Sequence, residues 1–235
     1  MLEFLFGKKT GVDYAGMTDF HSHILPGVDD GVGSVEESLR ILEEYERLGI
    51  RKVWLTPHVM EDVPNRPDEL RLRFAELCAA YGGAVELALG SENMADALFS
   101  ERLSQGELLP VGERGDMLLV ETSYFSAPEG FGRTLERVKA AGYHPLIAHP
   151  ERYVYIRDMS EYRKWLDAGA RFQLNLLSLG GHYGPDARAK ALRLLESGCY
   201  GYVGSDLHGE RHISLLHGLR LSKKEHTYLK KILQK

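Results

Sequence analysis

The sequence predicts an α/β protein whose parallel strands close into a barrel or a strongly curled sheet. Its 235 residues suit a single α/β barrel or one large α/β domain. About seven strand and helix segments alternate without a linker or a low-complexity segment, which is typical of parallel strands joined by right-handed crossovers. That alternation also fits an open, doubly wound sheet, but the positions of the polar residues favour the barrel.

The composition is that of an ordinary globular protein, with 43% hydrophobic and 27% charged residues. A net charge of -5 argues against general nucleic-acid binding, which is usually accompanied by a basic stripe. No apolar run approaches the roughly 20 residues of a membrane span. Met1–Lys9 is too short for a secretory signal and has its charges on the wrong side. We therefore expect a soluble, cytoplasmic protein without membrane insertion.

We expect residues 1–16 to form a loose N-terminal arm packed by its aromatic residues, and residues 17–235 to form a single domain. The first strand of that domain begins at Asp19 and places His21 and His23 on one face, because alternate side chains of a strand share a face. A turn with two adjacent carboxylates, Asp29 and Asp30, follows the strand.

The first helix begins at Ser34, which forms a capping-box pattern with Glu37. Apolar residues at helical spacing continue to Leu48, and Gly49 ends the helix. The same patterns predict the rest of the chain. We expect strands at 52–56, 84–89, 117–120, 145–148, 171–176 and 200–203, and helices at 68–81, 94–105, 131–141, 161–168, 187–197 and about 221–233.

Side chains that can bind a metal ion follow the carboxyl end of almost every predicted strand. Taken alone, each of them is also compatible with a helix cap or a solvated loop residue. In a barrel of parallel strands these ends converge on one face, whereas an open sheet would spread them along an edge. Nitrogen and oxygen ligands suit zinc, manganese or iron. The residues are His21, His23, His58, Glu92, Glu121, His149, Asp206 and His208.

The remaining histidines and both cysteines do not share this pattern. We expect His144, His182, His212, His217 and His226 to be surface or loop residues, with His182 the nearest of them to the site. Cys78 and Cys199 lie in apolar contexts that favour two buried thiols over a disulfide or a nucleophile. Neither is followed by a glycine-rich loop that contains an arginine, so a thiolate mechanism is disfavoured.

Several segments together resemble the polymerase-and-histidinol-phosphatase (PHP) superfamily. They are Asp19-Phe20-His21-Ser22-His23, Val28-Asp29-Asp30-Gly31, Thr56-Pro57-His58, Gly90-Ser91-Glu92, the run from Ala148 to Tyr153, and Ser205-Asp206-Leu207-His208. Within the superfamily the chain looks most like the bacterial manganese-dependent tyrosine-protein phosphatases encoded with capsular and exopolysaccharide genes. The resemblance covers about residues 17 to 212. It implies a distorted, TIM-like (β/α) barrel of seven strands.

The resemblance also implies three divalent metal ions, with manganese favoured over iron or zinc. The first ion would be bound by His21, His23, Glu92 and Asp206. The second would be bound by Glu92 as a bridge, together with Glu121 and His149. The third would be held by Asp30, His58 and His208, while Asp29 supports the turn.

Two arginines are implied as phosphate contacts. Arg152 lies three residues after His149, and Arg211 follows the last metal histidine after a loop that is shorter than in the tyrosine-phosphatase branch. Tyr124 and Phe125 form either an aromatic wall for a phenolic substrate or packing at the rim of the site. Bridged divalent ions would make hydroxide available near neutral pH and would clamp the phosphoryl oxygens.

The activity implied is hydrolysis of phosphotyrosine in a protein. The expected partner is a bacterial tyrosine kinase, dephosphorylated at its tyrosine-rich tail, which would control capsular and exopolysaccharide synthesis. One alternative is a small-molecule phosphatase of the same superfamily with a substrate like histidinol phosphate. Another is a non-catalytic metal-binding module.

Overall fold

The structure, a computed structural model, describes residues 9–233. The expected packing of the N-terminal aromatic residues lies outside this range. The strands are β1 (Thr10–Gly11), β2 (Thr18–Ser22), β3 (Lys52–Leu55), β4 (His58–Val59), β5 (Glu86–Leu89), β6 (Glu92–Met94), β7 (Met117–Glu121), β8 (His144–Ile147), β9 (Arg171–Asn175), β10 (Tyr200–Gly204) and β11 (Arg220–Leu221).

Helices connect most of these strands. They are α1 (Val35–Leu48), α2 (Pro67–Ala80), α3 (Ala97–Gln105), α4 (Phe131–Ala140), α5 (Met159–Asp167), α6 (Leu176–Gly180), α7 (Gly184–Glu196), α8 (Glu210–Gly218) and α9 (Lys223–Leu233), and a 3₁₀ turn spans Pro150–Arg152. None of the helices in the described range has the length and apolar character needed to cross a membrane.

Local sequence signals explain where α1 begins and ends. The Ser34 hydroxyl accepts a hydrogen bond from the Glu37 amide, as the capping box predicts. Gly49 adopts a left-handed conformation with φ 78° and ends the helix. Ile41, Leu42 and Tyr45 are buried in the core, and their helical spacing gives α1 one apolar face.

Two helices were not predicted, and one predicted helix starts late. The strand expected at 171–176 ends at Asn175, whose side chain accepts a hydrogen bond from the Leu177 amide and starts α6. Helix α8 was missed because Gly209 precedes it without a side-chain cap. Helix α3 begins at Ala97, since Asp96 caps it and residues 92–94 belong to β6.

The parallel strands form two sheets, ordered β2-β3-β5 and β10-β9-β8-β7-β6-β4. Thr56 and Pro57 separate β3 from β4, and Gly90 and Ser91 separate β5 from β6. After each of the predicted strands 52–56 and 84–89 the chain therefore enters the second sheet through a short strand that was not predicted. The parallel α/β architecture is therefore confirmed. Among the described residues, however, strand pairing gives two sheets and not one continuous closed barrel.

Both ends of the strand series approach each other at the candidate site. The Asp206 amide donates to the His21 carbonyl and the His23 amide donates to the Leu207 carbonyl, each over 2.8 Å. Trp54 of β3 also packs in one buried apolar cluster with Leu119 of β7 and Leu146 of β8. Because that cluster joins strands of both sheets, the two sheets curl around a shared interior.

Two further predictions concern the arm and the cysteines. Strand β1, inside the predicted arm, pairs antiparallel with β11 and is tied to the segment before α9. Cys78 and Cys199 are free thiols, but Cys78 is exposed and Cys199 only half-buried, so the prediction of two buried thiols is wrong. The buried positions of α2 are Leu70 and Leu77, and Cys78 points away from that stripe.

Candidate metal centre

All nine predicted metal ligands lie together where the strands end. Strand β2 carries His21, β4 and β6 begin with His58 and Glu92, and β7 ends with Glu121, while the other five lie in the loops that follow strands. Their side chains form four overlapping groups whose ligand atoms lie within 4.8 Å of one another. The groups are His23, Asp30, His58 and His208; His21, His23 and Glu92; His21, His149 and Asp206; and His58, Glu92 and Glu121.

The hydrogen bonds of His21 and His23 fix which ring nitrogen is free. The Nδ1–H of His21 donates to Gln173 Oε1 over 3.0 Å, and the Nδ1–H of His23 donates to Asp29 Oδ2 over 2.8 Å. In the neutral imidazoles both Nε2 atoms therefore carry lone pairs, and they face each other at 3.1 Å. Two lone pairs at this distance repel each other unless a cation lies between them. This donor set fits a metal ion.

Carboxylates complete this first position. Glu92 Oε2 lies 3.1 Å from His21 Nε2 and 3.3 Å from His23 Nε2, and Asp206 Oδ1 lies 3.4 Å from each ring. Such separations are those of neighbouring ligands about 2.1 Å from a shared ion. Burial lowers the pKa of His21, but the carboxylates of Glu92 and Asp206 raise it to about 9. Positive charge is thus favoured at this point of the site.

Glu92 lies at the centre of the ligand cluster. Its Oε1 atom is 3.0 Å from His149 Nε2, and its Oε2 atom is 3.1 Å from His58 Nδ1. The Glu92 Oε2 and His58 Nδ1 atoms are buried and have no hydrogen-bond partner. Burial raises the pKa of Glu92, but His21, His58 and the other imidazoles hold it well below its usual value. A buried carboxylate that stays ionised with an unpartnered oxygen is suited to bridging two cations.

The third position is nearer to solvent. Asp30 Oδ1 lies 3.6 Å from the Nε2 atoms of both His58 and His208. The His208 ring donates from Nδ1 to the Asp206 carbonyl over 2.9 Å, so its Nε2 lone pair is free. Interaction with His208, and then with nearby His58, lowers the pKa of Asp30 to about 2.

Asp29 supports the turn, as predicted. Besides accepting from His23, its carboxylate accepts hydrogen bonds from the Gly31 and His58 amides, each over 3.0 Å. Gly31 passes so close to His23 that a Cβ atom there would lie 2.1 Å from the His23 carbonyl oxygen. Only glycine fits this approach, which explains the third position of the Asp29-Asp30-Gly31 motif.

Backbone conformation marks two ligand positions. His149, with φ 31°, and Asp206, with φ 52°, are the two residues other than glycine that have a positive φ in the described chain. Such conformations cost on the order of 1–3 kcal/mol each and persist where the surroundings enforce them. Pro150 follows His149 and begins the 3₁₀ turn that leads to Arg152.

Arg152 faces the ligand cluster. Its Nη1 atom donates to Asp206 Oδ2, and its guanidinium carbon lies 4.4 Å from the ring centroid of Tyr124 and 3.9 Å from that of Tyr183. Burial lowers the pKa of Arg152, but the Asp206 carboxylate raises it above its usual range. The arginine is therefore a permanent cation held between two aromatic rings.

Arg211 and His182 lie at the rim of the site. Arg211 is exposed in the first turn of α8. Burial and the charges of Arg211 and Arg152 lower the pKa of His182. Its ring centroid also lies 5.2 Å from that of His212.

The two aromatic residues after Glu121 differ in environment. The Tyr124 ring lines the site, with its centroid 5.6 Å from that of His149. Phe125 is 80% exposed, so the interpretation of rim packing is wrong for this residue.

Three residues that organise the site were missed. Gln173 Oε1 accepts from His21 and from the His149 amide, over 3.0 Å and 3.2 Å. Asn175 Nδ2 donates to Asp206 Oδ2 over 2.9 Å and to the Tyr183 hydroxyl over 3.1 Å. Gln173 and Asn175 are polar residues that alternate with apolar ones in the predicted strand, and this pattern could have identified them from the sequence. Nothing local distinguishes Tyr183.

Fold and site together define a class: a parallel α/β protein with a cluster of imidazole and carboxylate side chains that could hold metal ions, and one arginine held beside them. A family model described as "Capsular polysaccharide synthesis, CpsB/CapC" matches residues 17–234. The chain belongs to this family. The resemblance inferred from its motifs is thereby confirmed.

Curated relatives carry matching names. The chain is 30% identical over 197 residues to the tyrosine-protein phosphatase YwqE of Bacillus subtilis, covering 82% of this chain and 77% of YwqE. It is 29% identical over 210 residues to the tyrosine-protein phosphatase CpsB of Streptococcus agalactiae, covering 82% of this chain and 83% of CpsB.

Solved structures agree with the fold. One, described as YwqE from Bacillus subtilis and CpsB from Streptococcus pneumoniae, unique metal-dependent tyrosine phosphatases, matches with a TM-score of 0.78 at 28% identity, over 93% of this chain and 88% of the other. Histidinol phosphate phosphatase from Lactococcus lactis matches with a TM-score of 0.57 at 14% identity, over 93% of this chain and 94% of the other, which shows a shared fold alone.

Proposed function

We propose that this protein is a metal-dependent tyrosine-protein phosphatase. The observation that carries the proposal is the convergence of nine metal-competent side chains beside the half-buried cation of Arg152. The similarity to proteins named as tyrosine-protein phosphatases supports the same activity.

We propose the ligand sets that the family resemblance implies, and the observed clusters overlap with these sets. His21, His23, Glu92 and Asp206 would hold one divalent ion, and Glu92, Glu121 and His149 a second. Asp30, His58 and His208 would hold a third. Manganese is the proposed metal, with iron or zinc as alternatives, because these ligands suit all three. Divalent ions held there supply the Lewis acidity that makes hydroxide available near neutral pH.

The chain's own residues supply binding and orientation. Arg152 is placed to bind the phosphoryl oxygens, since two aromatic rings and Asp206 restrict its movement. Tyr124, which packs on Arg152, is placed to contact the phenol ring of the substrate. Arg211 is the proposed second phosphate contact from the rim.

The finer parts of the proposal concern partner and setting. We propose a bacterial tyrosine kinase tail as the substrate, control of capsular and exopolysaccharide synthesis as the role, and the cytoplasm as the location. We also propose that residues 17–235 act as one domain and that its two curled sheets work as one distorted seven-stranded barrel, since hydrogen bonds link the end of β10 to β2.

Phosphate release tests the proposal. With manganese, we expect turnover of a phosphotyrosine peptide to exceed that of histidinol phosphate and of a phosphoserine peptide. Preference for histidinol phosphate would favour a small-molecule phosphatase. Binding of metal without hydrolysis of any ester would favour a non-catalytic module.

Ligand variants test the site itself. We expect His149→Ala and Asp206→Ala each to lower kcat by about 10³-fold or more, because each removes an interaction that stabilises developing charge by several kcal/mol. Both variants should retain the wild-type circular dichroism spectrum. His226→Ala, on the far helix α9, is the matched control and should keep wild-type activity. Unchanged activity in both ligand variants would contradict the assignment.

A further inference from the structure

The rim next to Arg152 carries an unusual exposed apolar pair. The large hydrophobic residues exposed in the described chain are Leu72, Phe125 and Val154, at 69%, 80% and 47%. Phe125 and Val154 lie on adjoining segments, because the Val154 amide donates to the Tyr124 carbonyl over 2.8 Å. Tyr124 and Arg152 themselves pack together at the metal site. The apolar pair is therefore continuous with the catalytic face.

A basic pocket adjoins the same segment. It has a volume of about 420 Å³ and is lined by Val154, Arg157, Asp186, Ala189, Lys190 and Arg193. The Lys190 ammonium is occupied, since it pairs with Asp186 over 2.8 Å and donates to the Tyr153 carbonyl over 2.9 Å. Within residues 9–233, Arg157 and Arg193 form no ion pair. Two guanidinium groups are thus available to an anion.

Charged groups around the pocket leave it basic. Asp186 is neutralised by Lys190, and Asp158, which lies near Arg193, caps helix α5 by accepting from the Ser160 amide. The segment from Arg152 through Val154 to Arg157 joins the metal site, the apolar pair and this pocket in chain order. A bound polypeptide can therefore meet phosphate-binding, apolar and cationic surfaces in succession.

We propose that this rim is a docking surface for the polypeptide that carries the phosphotyrosine, and that it selects a segment with an apolar residue and an acidic residue beside the phosphotyrosine. The apolar side chain would lie on Phe125 and Val154, and the carboxylate would pair with Arg157 and Arg193. The inference rests on the proposed phosphatase function and adds a sequence preference to it. A small aryl phosphate fills the metal site alone and does not reach the rim.

Steady-state kinetics on the manganese-loaded protein test the docking surface. The substrates are para-nitrophenyl phosphate and three phosphotyrosine peptides: one with flanking apolar and acidic residues, one with the acid replaced by glutamine, and one with the apolar residue replaced by serine. We expect Phe125→Ala to raise KM for the peptides with the apolar residue by about fivefold to tenfold. Its kcat/KM for para-nitrophenyl phosphate should match wild type. Leu72→Ala, on helix α2, is the matched control.

The cationic part of the docking surface is tested with Arg157→Glu combined with Arg193→Glu. We expect this variant to lower kcat/KM for the acidic peptide by about tenfold or more and to leave the glutamine peptide within about twofold. Arg71→Glu combined with Arg114→Glu, both at exposed positions away from the pocket, makes the same change in net charge and is the control. Equal losses on both peptides, or none, would overturn the docking surface while leaving the phosphatase proposal intact. A wild-type protein that hydrolyses no phosphotyrosine peptide would overturn both.

Discussion

Individual side chains decide the chemistry of this site through their hydrogen bonds. An imidazole binds metal through the nitrogen that carries no proton, and here the other nitrogen is committed to a named acceptor in His21, His23 and His208. Two of those acceptors, Gln173 and Asp29, touch no substrate position. Their hydrogen bonds orient each imidazole so that its Nε2 atom faces the proposed metal position.

The role of Gln173 gives the first prediction at this scale. Gln173→Leu removes the acceptor for the His21 Nδ1–H, so we expect divalent-metal affinity to fall by about 10- to 100-fold. Isothermal titration of manganese into metal-stripped protein measures this. Gln105→Leu, at an exposed position of α3, should bind like wild type. An unchanged titration for the Gln173 variant would show that the ring is held by other contacts.

Arg152 gives a second prediction. Arg152→Lys keeps the positive charge but loses the planar group that stacks between Tyr124 and Tyr183. We expect kcat/KM on a phosphotyrosine peptide to fall by about 10²-fold, and Arg152→Ala to fall further. Equal kinetics of the lysine variant and wild type would mean that charge alone suffices. Lys139→Arg, the reverse exchange at an exposed position of α4, should leave kcat/KM unchanged.

At the scale of elements, the positions of the ligands follow from strand direction. Parallel strands bring their carboxyl ends together, so residues far apart in sequence, such as His21 and Asp206, become neighbours. Most strands and helices could also be predicted, from apolar periodicity and capping signals. Helices α6 and α8 were not, since Asn175 looks like the end of a strand and Gly209 gives no capping signal.

Strand β10 gives a prediction about packing. A Cβ atom on Gly204 would lie 2.5 Å from His21 Cβ and 2.6 Å from Gln173 Nε2. We expect Gly204→Ala to destabilise the protein by about 1–3 kcal/mol, measured by thermal unfolding, and to weaken metal binding by moving His21. Gly201→Ala, in the same strand with no atom within 4 Å of its Cβ position, should change neither. Equal stability of the two variants would contradict this packing.

At the scale of the whole molecule, two curled parallel sheets enclose an apolar interior and carry the site on one face. Eight of the nine proposed ligands could be predicted because each follows a predicted strand, whereas Asp30 was implied only by the family resemblance. The separation of β3 from β4 at Thr56-Pro57, and of β5 from β6 at Gly90-Ser91, could not be predicted, since it depends on pairing between distant segments. The exposure of Phe125 at the rim could not be predicted either, because a sequence pattern does not distinguish a packed aromatic residue from an exposed one.

For the whole molecule, we propose that catalysis depends on metal ions held by these nine side chains. The most direct measurement is phosphate release from a phosphotyrosine peptide by chelator-stripped protein, followed through stepwise addition of manganese with the bound metal quantified. We expect a folded, inactive protein when stripped, and activity that rises with bound metal up to about three ions per chain. Full activity in protein that retains no metal would contradict the claim, as would no phosphate release at saturation with manganese.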